Sequence, residues 1–255
     1  MKAPAKINLA LLVGPRRPDG KHEVATVLQK IDLADEIELE PAERTEIEGF
    51  AEDTLVREAL RALGVTAAVT IEKRIPVAAG LGGGSSDAAA ALRLANESLP
   101  APLSAQRLQH LAARLGADVP FFLTEGAQLA TGTGTDLSPL VDLPRDYAVL
   151  LVLPAGAAKE STASVYDAFH GEDGFEDRRA ALLAALAAQN LAAFPPNDLA
   201  SSPLADELRG QGAFRADVSG AGPMVYGLFA DAEEAEFARE LMASRGATWL
   251  TRPAR

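Results

Sequence analysis

The stretch Ile75-Pro76-Val77-Ala78-Ala79-Gly80-Leu81-Gly82-Gly83-Gly84-Ser85-Ser86-Asp87 decides how the rest of this chain is read. It follows a strand-like Val69-Thr70-Ile71-Glu72-Lys73 and runs straight into Ala88-Ala89-Ala90-Ala91-Leu92-Arg93-Leu94, a strongly helix-forming segment. A glycine-rich loop that opens a helix can cradle phosphate. Without β-carbons its backbone approaches a ligand closely, and the unpaired N–H groups and dipole of the first turn favour anionic oxygens. Ser85 and Ser86 suit the helix start, with hydroxyls for a cap or for a phosphate. The plainer reading is a flexible turn and a capped helix, which one or two glycines would satisfy but four in five residues strain.

The known phosphate loops narrow the choice. A Walker A loop ends in Gly-Lys-Ser/Thr, and the chain has no lysine between Lys73 and Lys159. The dinucleotide fingerprint G-x-G-x-x-G is not met from Gly80, and the helix leads to Ser98-Leu99-Pro100 rather than to a strand ending in an acidic residue. A protein-kinase loop lies in a hairpin, and no His-Arg-Asp or Asp-Phe-Gly follows here. A nucleoside triphosphate site outside those three classes remains.

Composition sets limits around that site. With 255 residues and 48% hydrophobic content, the chain can bury one large core or two modest ones, and the usual domain length favours two. A net charge of −12 and no basic run longer than Arg16-Arg17 argue against nucleic acid or an anionic membrane as partner. The absence of cysteine removes disulfides and thiolate zinc sites, and three scattered histidines argue against a structural metal. These features suit a soluble, cytoplasmic protein. The apolar run after Lys6 is short, interrupted by Asn8 and followed by Gly14-Pro15-Arg16-Arg17, so it reads as a buried strand rather than a secretory signal.

Periodicity predicts strands over residues 5–13, 22–31 and 35–40, a helix over 53–63 and a strand over 68–73. After the glycine loop come helices over 86–97 and 104–115, the latter capped by Ser104, then a short helix near Val119 and a strand over 128–131. Asp142-Leu143-Pro144-Arg145 reads as a seam, giving an N-terminal lobe of residues 1–145 and a C-terminal lobe of 146–255. The second lobe reads as strand 147–153, helices 161–169 and 178–189, strands 214–218 and 224–229, helix 232–243 and strand 247–251. With its first helices taken as one layer, that order is βαββαβ, the ferredoxin-like split motif. The fold class is α+β.

Several residues are ambiguous on their own. Lys6 and Asn8 alternate with Ile7 and Leu9, a pattern that usually marks the solvent face of a strand, although the period of two puts both on one face. Asp118, before Val119-Pro120, reads as a cap for a short helix. His22 lies in a turn with Asp19 and Gly20, where an exposed imidazole is the ordinary outcome; His110 and His170 read as structural. Ser161-Thr162 would serve as a helix cap, and Ser219-Gly220-Ala221-Gly222 as a hairpin turn.

Taken together, the motifs resemble those of the GHMP small-molecule kinases. Pro76 to Asp87 resembles the family's ATP-binding motif, and its triple glycine resembles the branch acting on a cytidine diphosphate-linked alcohol. Pro4-Ala5-Lys6-Ile7-Asn8-Leu9, Pro18-Asp19-Gly20-Lys21-His22, Leu115-Gly116-Ala117-Asp118-Val119-Pro120, Pro196-Asn197-Asp198-Leu199 and Ser219 to Val225 match further motifs in order, over most of the chain. The resemblance implies a two-lobe fold: a mixed α/β lobe like the second domain of ribosomal protein S5, then the ferredoxin-like lobe. It implies ATP and Mg2+ as cofactors and transfer of a phosphoryl group to the tertiary 2-hydroxyl of 4-diphosphocytidyl-2-C-methyl-D-erythritol, an isoprenoid precursor. Alternatives are a homoserine- or mevalonate-type kinase of the same family, or a silent nucleotide sensor.

By the same resemblance Asp118 becomes the base, and Lys6 the cation that keeps it ionised. Asn8 orients the alcohol, and Pro76, Val77, Ala78, Ala79, Gly80, Leu81, Gly82, Gly83, Gly84, Ser85 and Ser86 hold the triphosphate. His22, Lys21, Tyr166 and Thr162 contact the cytidine substrate, and the Ser219 turn closes on the glycine loop. No residue is assigned to the metal. The chain departs from the family at Lys21 and Leu28, where aromatics flank the base, and at Thr54, where an asparagine lies near adenine. A monomer or weak homodimer is expected.

Overall fold

The computed structural model describes residues 1–50, 54–157, 162–170 and 173–254. The predicted helix starts at Asp53 and Ser161 fall outside the described residues. The chain forms two compact units, Met1–Ala5, Leu33–Val77 and Gly82–Glu125 in one, Lys6–Asp32, Ala78–Leu81 and Gly126–Arg255 in the other. Both are discontinuous in sequence, whereas the sequence reading places a single boundary at 145/146.

Two long strands open the chain, β1 (Lys2–Arg16) and β2 (His22–Pro41), and they pair with one another. β2 is continuous where two strands are predicted. Its second half belongs to the first unit and pairs antiparallel with β4 (Ala67–Glu72), Ile37 opposite Ile71; the short β3 (Glu46–Glu48), absent from the sequence reading, joins β4 in parallel. On this sheet lie α1 (Thr54–Leu63) and α2 (Gly83–Glu97), followed by α3 (Ala105–Leu115) and the single turn α4 (Val119–Phe122). Val56 and Leu60 of α1 meet Ala90, Ala91 and Ala95 of α2 over Ile37, Val69 and Ile71. The alanines let α2 approach α1 closely, which fixes where its N-terminus points. Ser104 caps α3 as expected, accepting from the Arg107 N–H at 3.4 Å.

The second unit pairs the first half of β2 with β5 (Gln128–Gly132), and β5 with β6 (Asp136–Pro139), which the sequence reading misses. Its other sheet has the order β10-β7-β9-β8, all antiparallel, from β7 (Ala148–Pro154), β8 (Arg215–Val218), β9 (Val225–Phe229) and β10 (Gly246–Thr251). Numbered within the lobe the order is 4-1-3-2, the ferredoxin-like arrangement predicted from the element order. Between β7 and β8 lie α5 (Thr162–Asp167), α6 (Phe175–Ala187), a 3-10 turn (Leu191–Ala193) and α7 (Pro203–Gly210), of which α7 is unpredicted; α8 (Ala232–Met242) joins β9 to β10. Leu150, Val152, Val225 and Phe229 form a core with Leu208 of α7 and Ala235, Ala238 and Met242 of α8. Among the described residues no helix is long and apolar enough to cross a membrane.

Candidate active site

The helix after the glycine loop begins at Gly83, three residues before the predicted start. Its N-cap is Gly82, in the left-handed region at φ 72°, and no side chain caps the first turn. Ser85 and Ser86 therefore lie inside the helix and cap nothing, which corrects the capping half of their reading. The leading N–H groups are left for a ligand, the arrangement that binds anions. The Ser86 hydroxyl is buried and has no hydrogen-bond partner among the described residues.

The middle of the loop, Ala78–Leu81, belongs to the second unit. The Lys6 N–H donates to the Leu81 carbonyl at 2.9 Å, the Met224 N–H to the Ala79 carbonyl at 3.1 Å, and Ser219 Oγ to the Gly80 carbonyl at 3.1 Å. A β-carbon on Gly80, whose φ is +86°, would lie 2.4 Å from the Ser219 carbonyl oxygen. Glycine is required there by the Ser219–Gly222 turn pressed against it, as the family resemblance implies for that turn. Asn197 holds the turn from behind, donating through Nδ2 to the carbonyls of Val218 (2.9 Å) and Gly220 (2.7 Å). Outside the loop's anchors, Val77 projects with 59% of its surface exposed.

Lys6 and Asn8 are not on a solvent face: they are 4% and 5% exposed. Lys6 Nζ donates to Asn8 Oδ1 at 2.6 Å, Asn8 Nδ2 to Thr26 Oγ1 at 2.8 Å, and Thr26 Oγ1 to the Ala10 carbonyl at 2.7 Å. Both amide ends of Asn8 are thus committed, and the α-carbon side of Gly220 lies against Lys6 and Asn8, with 3.5 Å and 3.4 Å to a built β-carbon. A buried ammonium is expensive to hold unless it has a task or partners.

Asp118 occupies the N-cap position of α4, but its carboxylate makes no capping hydrogen bond. The capping role that the sequence favours in isolation is not the one it performs.

His22 is also buried, not exposed. Its Nδ1 lies 2.8 Å from the Gly14 carbonyl, its Nε2 has no partner among the described residues, and the rings of Tyr166 and Phe169 approach at 6.1 and 5.9 Å. Phe169 is missed by the sequence reading, although it lies three residues after Tyr166. It also lines a cavity of about 620 Å³ with Val165, Asp198, Gly222 and Pro223. Lys21 and Thr162 are exposed, and Thr54 is exposed at the start of α1. Leu28 is 1% exposed in the core and cannot flank a base, which corrects its placement beside the cytosine.

Comparison with known proteins shows the family. Residues 50–126 match the GHMP kinases N terminal domain and 173–248 the GHMP kinases C terminal domain. The 4-diphosphocytidyl-2-C-methyl-D-erythritol kinase of Pelobacter propionicus is 39% identical, with 96% of this chain and 95% of that protein aligned; the enzyme of the same name from Gloeobacter violaceus is 39% identical over 92% and 87%. The chain belongs to the 4-diphosphocytidyl-2-C-methyl-D-erythritol kinase family of GHMP kinases. A crystal structure of 4-(cytidine 5'-diphospho)-2C-methyl-D-erythritol kinase superposes on it with a TM-score of 0.81 at 33% identity, covering 100% of this chain and 99% of the other. The mevalonate kinase of Methanococcus jannaschii (TM-score 0.74, 16% identity, coverage 100% and 98%) shares the fold alone.

In this GHMP kinase the site's electrostatics include a group that sequence reasoning missed. Lys73, where the predicted strand ends, donates through Nζ to Asp35 at 2.6 Å and Asp87 at 2.7 Å. Burial works against its charge, but the hydrogen bonds to Asp35 and then Asp87 outweigh it and raise its pKa above the ordinary lysine value. The signal in the sequence was an aspartate directly after the Ser-Ser of the loop, read only as part of a motif.

Proposed function

We propose that the protein transfers the γ-phosphoryl group of ATP to the 2-hydroxyl of 4-diphosphocytidyl-2-C-methyl-D-erythritol. The observation that carries this reading is the uncapped first turn of α2 behind a glycine loop, in a chain of this kinase family. Phosphoryl transfer asks a protein mainly for positioning and charge compensation. Residues 76–86 form the cradle for the triphosphate, and the free backbone N–H groups at the start of α2 receive it. When bound, Mg2+ would be held largely by the nucleotide's phosphate oxygens and water and would offset their negative charge; among the described residues no group of three or more acidic, histidine or cysteine side chains clusters to hold it. The partnerless Ser86 hydroxyl fits a nucleotide oxygen or its metal.

Asp118 accepts the proton as the substrate oxygen attacks phosphorus; the bond to that oxygen forms while the bond to the ADP oxygen breaks. Lys6 supplies positive charge for the carboxylate and the migrating phosphoryl, and Asn8 fixes the Lys6 ammonium by accepting its hydrogen bond. His22 and Tyr166 hold the cytosine, with Lys21 and Thr162 at the outer edge of the substrate site. A cytoplasmic protein without nucleic acid or membrane partners, acting as a monomer or weak homodimer, is the expected setting.

The test is ADP release with three alcohols in parallel. The cytidine substrate should support turnover with homoserine and mevalonate near background. Preference for either of those would replace the substrate, and no ADP release with any of them would favour the sensor.

A further inference from the structure

The residues that enter and leave the glycine loop are fastened to one ammonium. On the entry side, Asp35 Oδ1 accepts the N–H groups of Arg74 (2.6 Å) and Ile75 (2.8 Å), while its Oδ2 accepts Lys73 Nζ. On the exit side, Asp87, in the second turn of α2, accepts the same Nζ. Both carboxylates are fully buried, whereas the Lys73 side chain retains 15% exposure. A third wall is Phe50, whose ring centre lies 5.5 Å from Nζ. The fourth is Gly83 itself: a β-carbon there would lie 3.3 Å from Lys73 Nζ and 3.3 Å from Ile75 Cγ2. The side-chain direction of Gly83 thus faces the ion cluster, so a side chain there would crowd the lysine packed beneath it.

We propose that Lys73 is a positioning residue for the nucleotide. By joining Asp35 to Asp87 it fixes the azimuth of the first turn of α2, and with it the directions of the free N–H groups at residues 83–85. The inference rests on the reading of residues 76–86 as the ATP cradle. The geometry favours positioning over mere stabilisation because the three groups lie on the two flanks of the loop. Two buried carboxylates sharing one cation also resist loss of that cation strongly, since each would otherwise be left unpaired.

The experiment compares the whole protein with Asp87→Asn, Lys73→Arg and Lys73→Met, measuring affinity for a non-hydrolysable ATP analogue by calorimetry, KM for ATP and for the cytidine alcohol, kcat, and melting temperature. Asp87→Asn leaves Lys73 paired with Asp35 and is the variant expected to fold in every case. It should raise the analogue Kd and the KM for ATP about five- to tenfold while the KM for the alcohol stays within twofold. Lys73→Arg should recover part of the affinity that Lys73→Met loses. If Asp87→Asn lowers the melting temperature with ATP affinity unchanged, the cluster only stabilises and the proposal is overturned. If Asp87→Asn tightens the analogue, Lys73 is a direct ligand that the aspartate restrains, and positioning is again refuted. Failure of the unmodified protein to bind the analogue would sink the ATP reading itself, a result separable from any difference among the variants.

Discussion

Gly80→Ala is the sharpest test of the loop's construction. Alanine at φ +86° costs about 1–2 kcal/mol for the left-handed backbone alone. Its β-carbon would meet the Ser219 carbonyl oxygen at 2.4 Å and the Gly222 carbonyl oxygen at 3.0 Å, both backbone atoms that cannot swing aside. Overpacking of this kind adds about 1–3 kcal/mol, so the total is roughly 2–5 kcal/mol. Relief requires the Ser219–Gly222 turn to withdraw, breaking the bonds from Ser219 Oγ to Gly80 and from the Met224 N–H to Ala79. Gly64→Ala provides the control: its φ is +68°, but a β-carbon there meets nothing within 4 Å, leaving only the backbone cost. Urea denaturation of both variants, with ATP titrated in the ADP-release assay, separates the terms. Gly80→Ala should be the less stable and should show at least a tenfold higher KM for ATP, with Gly64→Ala unchanged in KM. Equal stability and equal KM in the two variants would refute the claim that the turn clamps the loop.

Three further outcomes are expected. Asp118→Asn should fold normally and bind ATP as before while turnover drops by roughly 10²–10⁴; a variant that unfolds but keeps its specific activity in the folded fraction would make Asp118 structural. Tyr166→Ala should raise the KM for the cytidine substrate about tenfold, a loss of about 1.4 kcal/mol, and an unchanged KM would move the base elsewhere. Because the Lys73 pKa is raised in the folded state, the stability it contributes is fully present below its unfolded value of about 10.4 and fades only as pH climbs through the higher folded value. The stability gap between the parent and Asp87→Asn should therefore stay constant from pH 7 to about pH 9.5 by chemical denaturation, and a gap that closes within that window would contradict the triad.

The parts legible in the sequence were those governed by local pattern. The alanine run of α2, the strand alternation around Ile37 and Ile71, and the order of the last four elements, β8, β9, α8 and β10, follow from periodicity, which is why the ferredoxin-like lobe could be read in advance. Short edge strands such as β3 and β6 carry too few residues to show a period, and α7 hides behind Ser202-Pro203, which reads as a turn until its cap is seen. At the site, glycines and motif residues were visible, but the reasons for them were not. Gly83 reads as a place for phosphate to approach, whereas its missing side chain makes room for Lys73 and Ile75. Lys6 and Asn8 read as solvent-facing because alternation cannot tell water from a buried polar pocket; the turn that covers them lies over two hundred residues away, with the Ser219 hydroxyl accepting the Asn8 N–H at 3.3 Å and Gly220 against both side chains. Leu28 was aligned by spacing to an aromatic position, yet strand register turns it into the core.

The discontinuity of the two units also sets a schedule for the nascent chain. Every residue of the first unit has been synthesised by Glu125, so that unit can consolidate while translation continues. Residues 6–32 cannot: the first half of β2 waits for β5, and β1 waits for Ser219 and for Tyr226, whose hydroxyl donates to the Leu9 carbonyl at 3.2 Å. For most of synthesis, therefore, a ribbon carrying Ile7, Leu9, Leu12, Val27 and Ile31, all destined for full burial, stands without its final cover. The segment bearing Lys6 and Asn8 is therefore made long before the residues that enclose it, and its burial waits on the closing of the second unit.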